Sequence, residues 1–192
     1  MQSDVIFAGF GGQGVLLIGK MLAYAGMADG KEVSWLPSYG PEMRGGTCNC
    51  TVVVADRSVG SPVVEHPKAA VVLNLPSLDK FEPMVKPGGV VVVNTSLINR
   101  GVKRTDIRAV PVPANEIANQ LGNGRAANMV ALGAYLGATG TVSLGAVETL
   151  IRETFAGREK VIEVNLAALK QGYELGRGQA KAATPVPEEV RA

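Results

Sequence analysis

Asp4-Val5-Ile6-Phe7-Ala8-Gly9-Phe10-Gly11-Gly12-Gln13-Gly14-Val15-Leu16-Leu17-Ile18 joins an apolar strand to an amphipathic helix through a glycine turn. Gly9, Gly11 and Gly14 stand at the G-x-G-x-x-G spacing, which permits a tight turn, brings backbone close to an anion and lets the helix pack near the sheet. Gly12 and Gln13 complete the turn, and the helix that follows directs its free N–H groups and its dipole at the anion. A purely structural turn is the alternative. The strand before and the helix after favour the phosphate cradle.

A dinucleotide site would also need an acidic side chain about 20 residues on, at the tip of the second strand. That strand, Glu32-Val33-Ser34-Trp35-Leu36, runs into Pro37-Ser38-Tyr39-Gly40 without an acid at its end. Glu32 opens the strand and Asp29 precedes it, so neither sits where a ribose would lie. The turn reads as an anion site and not as an ordinary NAD site.

Outward from the turn, a helix is expected to about Met27, with Leu17, Met21, Leu22 and Ala25 forming its buried stripe. A third strand alternates cleanly: Cys48, Cys50, Val52 and Val54 face one side, and Thr47, Asn49, Thr51 and Val53 the other. The apolar runs Ala69 to Leu75 and Val90 to Val93 fit strands buried on both faces of a parallel sheet, with a helix between them over Pro76 to Lys86. Ile107 to Val112 reads as a further strand and Ala114 to Leu121 as a helix. The alternation predicts an α/β class, a Rossmann-like, mostly parallel sheet flanked by helices. The C-terminal third is helical: Ala126 to Gly137, Leu144 to Phe155 and Glu159 to Leu175. In the first of these Ala131, Gly133, Ala134 and Gly137 allow very close packing, against a neighbour in this chain or in another. One domain is expected over 1–176 and a mobile tail over 177–192, where the apolar periodicity lapses.

Composition narrows the function. With 192 residues, 46% hydrophobic content and a net charge of +2, the chain suits one globular domain without a strong field. Its scattered Lys and Arg lack the aromatic interleaving of a nucleic-acid platform, and its apolar N-terminal stretch is broken by Gln13 and Lys20. A cytoplasmic protein without membrane or nucleic-acid partners is expected. Cys48 and Cys50 read as reduced core thiols and cannot build an iron-sulfur cluster or a metal site by themselves. His66, the only histidine, reads as a surface residue. Asn128 at the start of the small-residue helix is a candidate ligand contact or a backbone partner, and Asn74 and Asn94 line the same carboxyl edge or cap the next helices.

A second motif, Ser38-Tyr39-Gly40-Pro41-Glu42-Met43-Arg44-Gly45-Gly46, falls between the second and third strands, beside the glycine turn. As a plain turn it would leave Glu42 and Arg44 to pair with each other. Together with Gly9-Phe10-Gly11-Gly12-Gln13-Gly14-Val15 and Asn49-Cys50, however, it resembles the gamma subunit of the 2-oxoacid:ferredoxin oxidoreductases, the 2-oxoglutarate type above all, over roughly Asp4 to Gly172. Cys48 departs from the small residue expected there.

The resemblance implies a heteromer with alpha, beta and delta-type subunits that converts a 2-oxoacid to its acyl-coenzyme A and passes electrons to ferredoxin. Thiamine diphosphate, Mg and [4Fe-4S] clusters would sit on the partner subunits, and this chain would be inactive alone. It further implies that the chain assists assembly and docks coenzyme A: Gly9, Gly11, Gly12, Gln13 and Gly14 would receive a phosphate, Arg44 would add a charge-assisted contact, Tyr39 would line the pocket, and Asn128 would be a lesser contact. An independent Rossmann-type nucleotide enzyme, a pure scaffold, and a homodimer of the isolated chain are the competing expectations.

Overall fold

The computed structural model describes residues 2–39 and 46–182. Six strands, β1 (Gln2–Phe10), β2 (Glu32–Tyr39), β3 (Thr47–Ala55), β4 (Ala69–Val72), β5 (Val90–Asn94) and β6 (Arg108–Val112), form one sheet in the order β2-β3-β1-β4-β5-β6. The helices are α1 (Val15–Ala28), α2 (Leu75–Phe81), α3 (Ala114–Gln120), α4 (Ala127–Thr139), α5 (Leu144–Thr154) and α6 (Glu159–Ala182). The β1–β4, β4–β5 and β5–β6 pairs are parallel, whereas β3 runs antiparallel to both β1 and β2. The predicted α/β class with a helical C-terminal third is the observed one.

The β4 and β5 runs are buried on both faces, as parallel central strands must be when helices cover the sheet. On one face Val5, Phe7, Cys50, Val71, Val92 and Val110 pack against α1, α4 and α6. On the other, Ile6, Ala70, Val72, Val91 and Val93 pack against Leu78 and Phe81 of α2 and against Ile98 and Ile107. A buried carboxylate fastens this second layer: Glu82, in a 3-10 turn after α2, accepts a hydrogen bond from Arg100 Nη1 (2.8 Å) and another from the Arg104 N–H (3.0 Å). Burial works against its charge, but Arg100 and the backbone donors outweigh that and hold its carboxyl below the usual range.

Two sequence expectations shift. The strand predicted to stop at Leu36 continues through Pro37 to Tyr39. Pro37 lies opposite Cys50, and it is tolerated because β2 is an edge strand. In the sheet β1 pairs with β3, since β2 and β3 form a hairpin whose second strand inserts between β1 and β2. Finally, the helical pattern expected to lapse at Gly176 runs on to Ala182, and Gln179 Nε2 donates to the Pro111 carbonyl of β6 (3.1 Å). Its reason is the partner left open for the small-residue helix. A Cβ at Gly133 or Gly137 would run into the backbone of Leu169 or Tyr173 in α6, and one at Gly172 or Gly176 would strike Val130 or Ala134 in α4. Four glycines thus bring two helix backbones into contact within one chain.

Candidate functional site

The glycine turn sits at the carboxyl ends of β1, β4 and β5, where open α/β sheets hold ligands. Gly14 is the N-cap of α1, at φ 74°, and no side chain caps the helix there. No acidic residue stands in its first turn either. The first-turn amides of α1 are therefore left to whatever occupies the turn.

Gln13 supports this geometry from behind. Its Oε1 accepts from the Phe10 N–H (2.6 Å) and from Asn74 Nδ2 (3.4 Å), while its Nε2 donates to the Leu73 carbonyl (3.4 Å). The side chain folds over Gly9, where a Cβ would come within 2.6 Å of Oε1. Gln13 thus spends both ends of its side-chain amide shaping the turn, and its backbone N–H closes the turn on the Phe10 carbonyl (3.1 Å). Asn74 completes the brace by capping α2 at the Ser77 N–H (2.9 Å). Asn128, 4% exposed, reaches from α4 to the Gly14 carbonyl (3.3 Å) and occupies the space that a side chain on Gly14 would need. Asn128 is thus a backbone partner, and it also lines a cavity beside the turn.

Two cavities flank the turn and share Gly12. The larger, about 690 Å³, is apolar, with Phe10, Val15, Leu17, Trp35, Pro37 and Cys48 among its walls. Its volume falls within the roughly 300–1,000 Å³ of sites that take a whole small molecule. The smaller, about 180 Å³, is polar and lies between Gln13, Asn94, Asn115, Arg125 and Asn128. Among the described residues no carboxylate lines either cavity. Gly11 N–H donates to the Gly46 carbonyl (3.0 Å), which brings the C-terminal flank of the second motif to this edge. Tyr39 closes β2 opposite Cys48. Arg44, with Glu42 and Gly40-Pro41, lies outside the described residues.

The candidate ribose acids are accounted for. Asp29 accepts from the Ser143 N–H (2.6 Å) and from Ser143 Oγ (2.8 Å), joining the end of α1 to the start of α5. Glu32 lies on the edge strand, two strands away from β1. Because the antiparallel β3 takes the place beside β1, its opening residues Thr47 and Cys48 meet the turn where a Rossmann enzyme would present the tip of its second strand.

The thiols do not fit a metal cluster. Cys50 is fully buried and donates to the Val15 carbonyl (3.7 Å), and burial pushes its thiol up to about 12. Cys48 is also raised by burial. Two thiols are half of the four that an iron-sulfur cluster takes as ligands. Among the described residues no group of His, Cys, Asp and Glu could hold a metal ion, and no helix is long and apolar enough to cross a membrane. His66 is exposed, its Nδ1 3.3 Å from the Met84 carbonyl oxygen, away from the site. Sequence reasoning missed the apolar cavity and the contributions of Arg125 and Asn115. The walls come from strand ends and helix starts far apart in the chain, with no fixed spacing to mark them.

Residues 4–175 match the family model described as pyruvate ferredoxin/flavodoxin oxidoreductase. The ketoisovalerate oxidoreductase subunit VorA of Methanothermobacter marburgensis is 46% identical over 90% of this chain, which spans only 36% of that relative's length. The 2-oxoglutarate synthase subunit KorC of Methanocaldococcus jannaschii is 35% identical and aligns over 92% of this chain and 95% of its own. In structure, the gamma subunit of a keto/oxoacid ferredoxin oxidoreductase from Geobacter sulfurreducens superposes over 94% of this chain and 99% of its own, with a TM-score of 0.77 and 32% identity. The family match over residues 4–175, the end-to-end matches to KorC and to the Geobacter sulfurreducens subunit, and a glycine turn without a ribose acid agree: the chain belongs to the pyruvate ferredoxin/flavodoxin oxidoreductase family, as a subunit of the gamma kind.

Proposed function

We propose that this chain is the coenzyme A-docking and assembly subunit of a cytoplasmic 2-oxoacid:ferredoxin oxidoreductase. The observation that carries the reading is the uncapped start of α1 at the mouth of the apolar cavity. That pairing suits a ligand with phosphate in its middle and a long, weakly polar arm. A phosphate on the N–H groups of Gly12, Gly14 and the first turn of α1 would anchor the cofactor, since those of Gly11 and Gln13 are spent on the Gly46 and Phe10 carbonyls, with Arg44 and Tyr39 of the second motif contributing. The arm would lie along Phe10, Leu17 and Trp35. Carbon chemistry and electron transfer belong to partner chains with thiamine diphosphate, Mg and [4Fe-4S] clusters, because the two thiols of this chain do not fit a cluster.

The match to about a third of VorA supports an alpha-type partner equivalent to the remainder of that polypeptide. The same comparison gives the substrate two readings: 2-oxoglutarate, from the end-to-end match to KorC, and ketoisovalerate, from the higher identity to VorA.

Anaerobic affinity purification of the tagged chain from its host, followed by viologen reduction with each 2-oxoacid, tests the reading. Partner chains should co-purify and dye reduction should require coenzyme A. A chain that came out alone and bound NAD would overturn it. Trp35, the only tryptophan, lines the cavity and should report coenzyme A through its fluorescence. Arg44→Ala should weaken that titration about tenfold, as expected for a lost charge-assisted contact, and an unchanged titration would remove Arg44 from the site.

A further inference from the structure

The polar cavity beside the turn has a donor pattern that its own hydrogen bonds fix. The Ala114 N–H can only donate, and it does so to Asn94 Oδ1 (3.2 Å). Asn94 therefore turns its Nδ2 to Asn115 Oδ1 (2.8 Å). Asn94 is 2% exposed, with both ends of its amide engaged. Asn115 is thereby left with its amino group unspent. Arg125 stands at the other wall in the turn before α4, its backbone N–H held by Asn123 Oδ1 (3.1 Å), while its guanidinium has no hydrogen bond or ion pair among the described residues. It is the only cation lining either cavity among the described residues. Near it, Asn128 is buried with its Nδ2 on Gly14, and its Oδ1 has no partner among the described residues. Among the described residues no buried side-chain oxygen or nitrogen is left unsatisfied, so this Oδ1, an acceptor that takes no part in holding an anion, opens onto the cavity. At about 180 Å³ the space is below that of a whole-ligand pocket and suits a single group.

Resting on the coenzyme A reading, we infer that this cavity is a second anion subsite, in which Arg125 and the Asn115 amino group take a terminal phosphate monoester of the cofactor. Coenzyme A carries a central diphosphate and, on its ribose, a 3′-phosphate. The shared Gly12 lets the diphosphate sit on the turn while the ribose phosphate enters the polar side and the pantetheine arm enters the apolar side. Arg125 is thus a specificity residue that distinguishes coenzyme A from its dephospho form.

Titrating the full chain, with any subunits that accompany it, with coenzyme A and with dephospho-coenzyme A tests this. The parent should prefer coenzyme A by about tenfold or more, the scale of a charge-assisted contact. Arg125→Ala should bring coenzyme A down to the level of the dephospho form while leaving the latter's affinity unchanged, and Arg125→Lys should recover part of the preference. The exposed, unpaired side chain predicts an unaltered melting temperature for both variants. Equal binding of the two ligands by the parent, or an equal loss for both in Arg125→Ala, would overturn the subsite and leave coenzyme A docking intact. A parent that binds neither would overturn the docking reading and the subsite with it.

Discussion

Gly12 and Gly14 both have positive φ, 99° and 74°, yet they face different surroundings. Nothing lies within 4 Å of a Cβ built on Gly12, whereas one on Gly14 would collide with the Asn128 amide. An L-residue in the left-handed region costs about 1–2 kcal/mol, so Gly12→Ala should lose roughly that much stability. Gly14→Ala should lose about 1–3 kcal/mol more, because its methyl must displace a buried side chain in a packed site. Denaturant midpoints of the two variants measure the difference, and equal costs would show that Asn128 yields freely. The comparison separates the two properties that the glycine spacing confounds: Gly12 is needed for its backbone alone, and Gly14 also for the room it leaves.

At the scale of elements, α4 and α6 rest on glycine contacts that cannot relax by a change of rotamer, since the colliding atoms are backbone. Gly176→Ala should destabilise by about 1–3 kcal/mol through overpacking against Ala134. Gly178, exposed in the same helix with nothing near its Cβ position, should do the opposite: Gly178→Ala should stabilise by up to about 1 kcal/mol through helix propensity. Urea unfolding of both variants gives the signs, and a neutral Gly178→Ala would place that residue outside the stable helix. The late end of α6 escaped the sequence reading because its last turns hold the fold with glycines rather than with an apolar stripe, and glycines read as breakers. The strands were legible where side-chain period alone decides, as in the Cys48 to Val54 alternation and the buried runs of β4 and β5. Period fixes which face a residue takes but neither the neighbour nor the direction of a strand, so the insertion of β3 between β1 and β2 was not legible. The site divides in the same way. Its glycine turn is local and could be read, but Asn115 and Arg125 reach the cavity only through the packing of α3 and α4 at the sheet edge.

For the whole molecule, ionisable groups on the two sides of the sheet set opposite limits on stability with pH. Glu82, whose carboxyl is held low in the fold, contributes stability that is present above its unfolded value near 4.5 and is lost as pH falls through its folded value. Cys50 and Tyr135 act in the reverse sense. Burial pushes both up to about 12, from 9.0 and 10.0. Tyr135 OH lies 2.9 Å from Thr141 Oγ1, and its ring packs edge-on to Phe7 at 5.8 Å between centroids. Between an unfolded value of 9.0 and a folded value near 12, the unfolded chain gives up the Cys50 proton while the folded chain keeps it, so stability must fall as pH rises through that window. Cys48, raised by burial to a smaller extent, adds to the same slope. Urea midpoints should therefore be level near neutrality and decline from about pH 8.5 upward, before the tyrosine contributes. Cys50→Ala removes the main thiol from this linkage: it should lower stability at pH 7 by about 1 kcal/mol for its lost packing, but flatten the decline between pH 8.5 and 10. A variant that declined as steeply as the parent would move the alkaline limit away from Cys50 and onto Cys48 and Tyr135 in the same layer.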